Sequence, residues 1–207
     1  MLSKTRTLQE HQSKAGASEG RLPRLFHFSD QGGIARFEPR PVEIPSPRPP
    51  GRDWLNGTLV WAIDEAREPL YLFPRECPRV LVWAREDSLP EERAQWLGKA
   101  RFAAYTETGW EAHLRQGAVW RYSLPPETFE NIHDAGMWVS REVVTPLGAA
   151  RLSDLPAELA AHGVDLRVVD SLAPLAPLWR SSLHASGVRL RNAATWPEPG
   201  PKGSDGL

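Results

Sequence analysis

The chain has 207 residues, of which 41% are hydrophobic and 25% charged, a balance typical of a soluble globular protein. Its formal net charge of -1 excludes a histone-like or polybasic protein, so no nucleic-acid partner is expected. The single cysteine cannot form an intramolecular disulfide, and no paired Cys/His spacing suits zinc, so we expect a cytoplasmic protein without a bound metal.

Three regions are expected along the chain. Residues 1–24 are polar and show no apolar periodicity, which predicts a disordered N-terminal extension. Residues 25–195 are predicted to form a single α+β domain, followed by a flexible Pro/Gly-rich tail at 196–207. No run of about 18 apolar residues occurs, so neither a membrane span nor a membrane partner is expected.

Short apolar runs alternate with helix signals through the central region. Strands are predicted at 25–29, 58–63, 79–84, 102–106, 118–123, 137–144 and 164–169. Helices are predicted at 65–73 with Asp64 as N-cap, 90–100, 110–116, 152–162 and the later part of 172–186. About seven short strands with short helices indicate an α+β fold built on a small split sheet.

Phosphate-binding loops of the two common types are absent. Gly32 and Gly33 have no GxGxxG around them, and no GxxxxGK[ST] occurs. Residues 39–51 contain six prolines and must form a long loop, and such loops in compact domains are usually functional or mobile.

His27 is the first candidate site residue. It lies between Phe26 and Phe28, so strand alternation directs its side chain away from both aromatics, with Ser29 on the same face. A strand histidine is often structural. The glycine turn and proline-rich loop that follow instead favour a strand end that opens onto a cleft.

Glu142 is the second candidate. In the predicted strand 137–144, alternation places Trp138, Ser140 and Glu142 on one face. The carboxylate is either a solvated edge group or, in a cleft, a group that stabilises developing positive charge. Trp61, Tyr71 and Phe73 are similarly either core residues or a platform on which a flat ring stacks.

Four segments carry a resemblance to known families. LFHFSD, VWAID, LYLFPRECPRV and WVSREVVTPL resemble a bacterial family of unknown function over most of residues 25–150. More distantly, the chain is similar to ADP-ribosyltransferases. The first strand of that family carries [FLY]-[YF]-H-[GV]-[ST], and Phe26-His27-Phe28-Ser29 resembles this opening strand. Val60-Trp61-Ala62-Ile63-Asp64 has the shape of that family's second strand.

The second resemblance implies that the protein binds NAD, and that it transfers ADP-ribose or cleaves the glycosidic bond of NAD. His27 would then donate a hydrogen bond to the ligand, and Glu142 would stabilise the oxocarbenium-like transition state. Trp61 or Tyr71 would stack on the nicotinamide ring, and Ser29 would lie beside them. The pyrophosphate would be held by arginines of the proline-rich loop, which are Arg40, Arg48 and Arg52.

The alternative is a non-catalytic module of the same fold that binds a nucleotide, another small molecule or a protein, with these side chains serving as packing. Other chemistry has little support. His133 and Asp134 are adjacent and have no third ligand, Cys77 is expected to be a structural thiol, and no serine lies in a GxSxG elbow.

Overall fold

The computed structural model describes residues 22–45 and 47–196. Most of the predicted extension at 1–24 and of the predicted tail at 196–207 lies outside these ranges. The described residues contain ten strands in two sheets, together with short helices, which confirms the α+β class. None of the described helices has the length and apolarity to cross a membrane.

The first sheet has six strands, all paired antiparallel, in the order β6-β7-β2-β1-β5-β8. Its strands are β1 (Leu25–Ser29), β2 (Val60–Asp64), β5 (Ala118–Leu124), β6 (Glu130–Asn131), β7 (Met137–Ser140) and β8 (Gly148–Ser153). The strand β1 pairs with β5 along its whole length but with β2 only at Leu25 and Phe26. The first sheet therefore opens between β1 and β2 just where His27 lies.

The second sheet has four strands in the order β10-β3-β4-β9, and only the β4–β9 pair is parallel. Its strands are β3 (Arg79–Trp83), β4 (Phe102–Glu107), β9 (Val164–Val169) and β10 (His184–Val188). All residues of β3 and β4 are buried, as the nearly continuous apolar run at 79–84 predicts for a central strand.

Within residues 22–45 and 47–196, three α-helices and five 3-10 helices connect the strands. The α-helices are α1 (Pro90–Trp96), α2 (Glu111–Gln116) and α3 (Leu155–Ala161). The 3-10 helices are Asp53–Asn56, Glu68–Tyr71, Thr108–Trp110, Ala173–Arg180 and Leu190–Asn192.

The largest apolar core joins the two sheets. Phe26 and Ile63 of the first sheet pack in one cluster with Leu81 and Phe102 of the second, and Leu159 of α3 completes it. The opposite face of the second sheet is covered by the segment around Ala173–Arg180. The opposite face of the first sheet packs against loop residues such as Phe37 and Phe129. The molecule therefore has an inter-sheet layer that is apolar over most of its area.

Strand alternation in β1 is confirmed. Phe26 belongs to the inter-sheet core, whereas Leu25 belongs to the core on the other side of the first sheet. The His27 ring follows Leu25 and packs 4.6 Å from the ring of Phe37.

The prediction of seven strands is wrong, because β6, β8 and β10 were not expected. Their sequences EN, GAARLS and HASGV are short or rich in small residues and lack the β-branched pattern of typical strands. Pairing with β7, β5 and β3, respectively, makes them strands.

Several predicted boundaries also shift. The helix predicted at 152–162 begins only at Leu155, after Asp154 caps it by accepting from the Ala157 amide at 3.3 Å. The segment 172–186 forms a 3-10 helix and then β10. The helix predicted at 65–73 is instead a turn followed by Glu68–Tyr71, where Pro69 lies in the first turn. The strand predicted at 137–144 ends at Ser140.

Candidate functional site

A cavity of about 280 Å³ lies between the two sheets at the C-terminal end of β1. Phe28 and Val119 contribute to it from the first sheet, and Arg79 and Val188 contribute from the second. We call it the inter-sheet cavity. Its remaining lining residues are His27, Ser29, Asp30, Arg40, Tyr71, Phe73, Arg75 and Arg189.

The lining is strongly cationic. Four arginines and one carboxylate residue, Asp30, line the cavity, and Glu76 beside it lies 3.3 Å from Arg189. Asp30 lies 4.0 Å from the Arg75 guanidinium and is well exposed, so it offsets only a small part of this charge. The cavity is therefore suited to an anion.

Arg79 is the deepest of the four arginines, with only 2% of its surface exposed. Its Nε and Nη1 atoms each donate at 2.9 Å to a backbone carbonyl, those of Leu70 and Cys77 respectively. The guanidinium also lies over the rings of Tyr71 and Phe73, 5.8 and 5.1 Å from their centroids. No carboxylate among the described residues forms an ion pair with it. Burial lowers the pKa of Arg79 to about 10, so the side chain still carries its charge at neutral pH.

Arg189 is held at the rim by backbone and side-chain contacts. Its backbone is in the left-handed region, with φ of 56°, which is uncommon for a residue other than glycine. Its Nε atom donates to the carbonyl of Arg75 and lies 3.3 Å from Oε1 of Glu76. Glu76, which also contacts Arg191 and accepts from Asn192, therefore fixes the segment that carries Arg189.

Arg40 reaches the inter-sheet cavity from the start of the proline-rich loop. Its backbone exchanges two hydrogen bonds with Leu59, at 3.1 and 3.2 Å, and this isolated bridge fixes the first part of the loop beside β2. The remainder of the described loop forms no strand or α-helix, as its prolines predict.

His27 connects the inter-sheet cavity to the gap in the first sheet. Its Nδ1 atom lies 2.8 Å from the carbonyl oxygen of Trp61, which can only accept, so Nδ1 carries the proton and donates. Burial, supported by the charges of Arg40 and Arg75, lowers the pKa of His27 and keeps the ring neutral. In this tautomer Nε2 is an acceptor. A contact between Nε2 and a ligand would therefore be an acceptor contact, whereas the sequence predicted that His27 donates; the contact itself stays a prediction.

A second, smaller cavity of about 60 Å³ occupies the gap between β1 and β2. Trp61, Tyr71 and Met137 line it together with Phe26, His27 and Phe28, so the space is largely apolar. The indole Nε1 of Trp61 is buried and has no hydrogen-bond partner among the described residues. Tyr71 lines both cavities and lies nearly parallel to Phe28, with ring centroids 6.1 Å apart.

The turn after β1 is fastened by Tyr122 of β5. The Tyr122 hydroxyl donates to the Gln31 carbonyl at 2.8 Å and accepts from the Ile34 amide at 3.1 Å. Gly32 permits this close packing, because a Cβ at this position would lie 2.6 Å from the indole ring of Trp120. Ser29 and Asp30 are thereby held at the edge of the inter-sheet cavity.

The structure brings together some of the predicted site residues and separates others. His27, Ser29, Arg40 and Tyr71 line the inter-sheet cavity, and Trp61 lines the smaller cavity beside it. Arg52 lines neither, and its Nη1 atom donates to the carbonyl of Ile132 at 2.6 Å. Arg48 lies over the Trp61 ring at 5.6 Å and also lines neither cavity.

Glu142 is the clearest departure from the predicted site. The strand β7 ends at Ser140, so the alternation that aligned Glu142 with Trp138 does not reach it. Glu142 is exposed, its backbone amide donates to Ser140 Oγ at 3.1 Å, and it lines neither cavity. Asp30 is the carboxylate residue that lines the inter-sheet cavity.

Three arginines of the cavity were not identified from the sequence. Arg79 opens the buried run VLVW, and a charge at the start of a strand buried on both faces was the available signal. Arg75 and Arg189 carry no comparable signal, because only the pairing of β10 with β3 brings them together. The described residues contain no group of three or more His, Cys, Asp or Glu side chains placed to hold a metal ion.

Comparison with known proteins gives a family without a known activity. Neither the curated proteins nor the solved structures include a significant match to the chain. A family of unknown function, DUF6886, matches residues 26–193, a range that includes both sheets and every residue of the two cavities. The chain therefore belongs to the DUF6886 family.

Proposed function

We propose that the protein binds a phosphorylated nucleotide in the inter-sheet cavity. The observation that carries this proposal is the buried guanidinium of Arg79, which faces the cavity without a carboxylate partner among the described residues. A buried charge is costly unless it is paired, and a phosphate that matches the guanidinium fork supplies the missing partner.

The other arginines support an anion of more than one charge. Arg40, Arg75 and Arg189 line the same space. Arg75 lies 4.0 Å from Asp30 and Arg189 lies 3.3 Å from Glu76, which leaves Arg40 and Arg79 without an ion pair among the described residues. Arginine is the side chain that suits phosphate best, because its planar fork presents several donors at once.

The rest of the lining favours a nucleotide over a simple inorganic ion. Phe28, Tyr71 and Phe73 provide aromatic surface for a base, and Nε2 of neutral His27 can accept a hydrogen bond from a sugar hydroxyl. The volume of about 280 Å³ lies at the lower end of the range of about 300–1,000 Å³ for drug-sized ligands. One half of a dinucleotide fits this enclosed space, and the other half would extend beyond it.

The resemblance to ADP-ribosyltransferases suggests NAD and ADP-ribose as the nucleotides. The residues that line the cavity favour a non-catalytic nucleotide-binding module. Transfer of ADP-ribose requires a carboxylate near the ribose. Glu142 lines neither cavity, and Asp30, the carboxylate residue that does line one, is well exposed and lies 4.0 Å from Arg75. Binding without catalysis therefore needs fewer assumptions than transfer.

Thermal unfolding of the full chain with NAD, NADP, ADP-ribose, ATP, AMP and nicotinamide tests the proposal. A ligand at 100 times its dissociation constant stabilises the folded state by about 2.7 kcal/mol. At this chain length we expect Tm to rise by roughly 5–10 °C with at least one phosphorylated nucleotide.

Arg79→Lys and Arg52→Lys form a matched pair for this experiment. Both retain a positive charge, but only Arg79 faces the inter-sheet cavity. We expect the nucleotide-induced shift to be smaller in the first variant and unchanged in the second. An unchanged shift in Arg79→Lys, or no shift with any nucleotide, would contradict the proposal.

A further inference from the structure

We propose that the phosphate bound by Arg79 is a terminal phosphate monoester and not an internal diphosphate. This inference rests on the proposed function and specifies the class of nucleotide: a mononucleotide, or a dinucleotide such as NADP that carries a phosphate monoester as a branch. NAD, whose phosphates are all internal, is then the weaker ligand.

Arg79 still has free hydrogen-bond donors, and their number favours a phosphate monoester. A guanidinium has five N–H groups, and in Arg79 one on Nε and one on Nη1 are used by the carbonyls of Leu70 and Cys77. The remaining three, including both on Nη2, have no partner among the described residues. One phosphate accepts two of these donors through the fork of the guanidinium. A phosphate monoester then keeps a third terminal oxygen for another arginine of the lining, whereas each phosphate of an internal diphosphate has only two terminal oxygens.

The position of Arg79 also favours a terminal phosphate. Only 2% of its surface is exposed, and the two carbonyls and the rings of Tyr71 and Phe73 enclose it. A terminal phosphate is attached to the rest of its ligand on one side and can enter such a closed end. An internal diphosphate has substituents on both sides, and about 280 Å³ does not enclose two of them.

The charge of the cavity lining also favours a phosphate monoester over an internal diphosphate. A phosphate monoester carries close to two negative charges at neutral pH, because its second pKa is about 6. Each phosphate of an internal diphosphate carries one. Four arginines line the cavity, and the carboxylates of Asp30 and Glu76 lie within ion-pair distance of Arg75 and Arg189. The remaining two arginines leave an excess of positive charge that a dianion neutralises better than a monoanion does.

Isothermal titration calorimetry at pH 7.5 with two pairs of ligands tests the inference on the full chain. The first pair is AMP and its phosphate monomethyl ester, which differ by one methyl group and one charge. The second pair is NADP and NAD, which differ by the 2′-phosphate. We expect the member with the phosphate monoester to bind at least about tenfold more tightly in each pair, since hydrogen bonds to charged groups are the strong ones.

Each outcome has a definite meaning. If the methyl ester binds within twofold of AMP and NAD within twofold of NADP, the terminal-phosphate inference is wrong while the proposed nucleotide function stands. If none of the four ligands binds, and ADP-ribose and ATP also fail, the proposed function itself is wrong.

A variant separates recognition from folding. Arg79→Lys keeps a cation but loses the fork, and we expect the AMP-to-methyl-ester affinity ratio to fall towards one. Arg52→Lys should retain the wild-type ratio. A purely structural role for Arg79 would lower both affinities together and leave the ratio unchanged, and that result would overturn the assignment.

Discussion

Glu68 and Arg79 are equally buried, each with 2% of its surface exposed, but their surroundings differ. The Glu68 carboxylate has partners of opposite charge or donor character on two sides: Arg121 Nη1 at 3.2 Å and His162 Nε2 at 3.3 Å. Arg79 donates to neutral carbonyls, lies over aromatic rings and forms no ion pair with any described residue, and its remaining side faces a cavity.

This difference separates a structural charge from a charge kept for a ligand. Glu68 joins the 3-10 helix Glu68–Tyr71 to β5 and to the end of α3, so its side-chain contacts connect parts of the fold. Arg79 donates only to backbone carbonyls, that of Leu70 in the same 3-10 helix and that of Cys77 just before β3. A buried cation without an anion is an unfavourable arrangement for stability alone, which is why it points to a ligand.

Replacing Glu68 should produce the largest effect on stability. In Glu68→Gln, the charge of Arg121 loses its partner in a buried setting, a change that typically costs about 3–5 kcal/mol. Arg121 and His162 are each about a quarter exposed, so we expect a loss of about 2–3 kcal/mol of unfolding free energy, measured by urea denaturation.

The matched control for this variant is Glu111→Gln. Glu111 pairs with Arg115 on the surface of α2 at 2.8 Å, and exposed pairs of this kind contribute less than about 0.5 kcal/mol. Equal losses in the two variants would mean that burial does not distinguish the Glu68 cluster from a surface pair.

Acidification should lower the free energy of unfolding through His27, which lines the inter-sheet cavity. Burial lowers the pKa of His27 in the folded protein, so on acidification the unfolded chain takes up the proton first. The contribution of His27 is therefore present above about pH 6.5 and is lost as the pH falls from there towards the lowered folded-state pKa.

His27→Asn removes this titration and allows the amide to donate to Trp61. We expect wild type to lose more unfolding free energy than the variant between pH 7.5 and 5, by up to about 1.4 kcal/mol per unit of pKa difference. His184, whose pKa is also lowered by burial, is unchanged in both proteins and contributes equally. Parallel pH profiles for the two proteins would contradict a buried, neutral His27.

The fold and the site were predictable to different extents. The strands at 25–29 and 164–169 were predicted to the residue, because their apolar patterns are set locally. The strand β10 was missed because HASGV gains strand structure only from its pairing with β3. His27 could be placed beside a cleft from alternation and the loop that follows, but nothing local shows that Arg75, Arg79 and Arg189 converge from distant parts of the chain.

Removing the charge of Arg79 should change stability less than removing that of Glu68, provided that no ligand is present. In Arg79→Met, two buried carbonyls lose their donors, at a cost of about 1–3 kcal/mol, while the cost of an unpaired buried cation disappears. These effects oppose each other, and we expect a net change of about 1 kcal/mol or less in urea denaturation. If Arg79→Met lost as much unfolding free energy as Glu68→Gln, Arg79 would be a structural charge like Glu68 and not a charge kept for a ligand.

Glu142→Gln should have the smallest effect and tests where the carboxylate of the site lies. Glu142 is exposed and lines neither cavity, so we expect its replacement to change nucleotide affinity by less than twofold in calorimetry. Asp30→Asn is the informative counterpart, because it removes the carboxylate that lines the cavity and should strengthen binding of an anion by several-fold. If Glu142→Gln instead abolished binding, or abolished a measurable release of nicotinamide from NAD, the segment after β7 would have to approach the inter-sheet cavity when ligand is bound. The site would then be an inducible one, in which the carboxylate predicted from the sequence completes a cavity that the arginines alone define in the free protein.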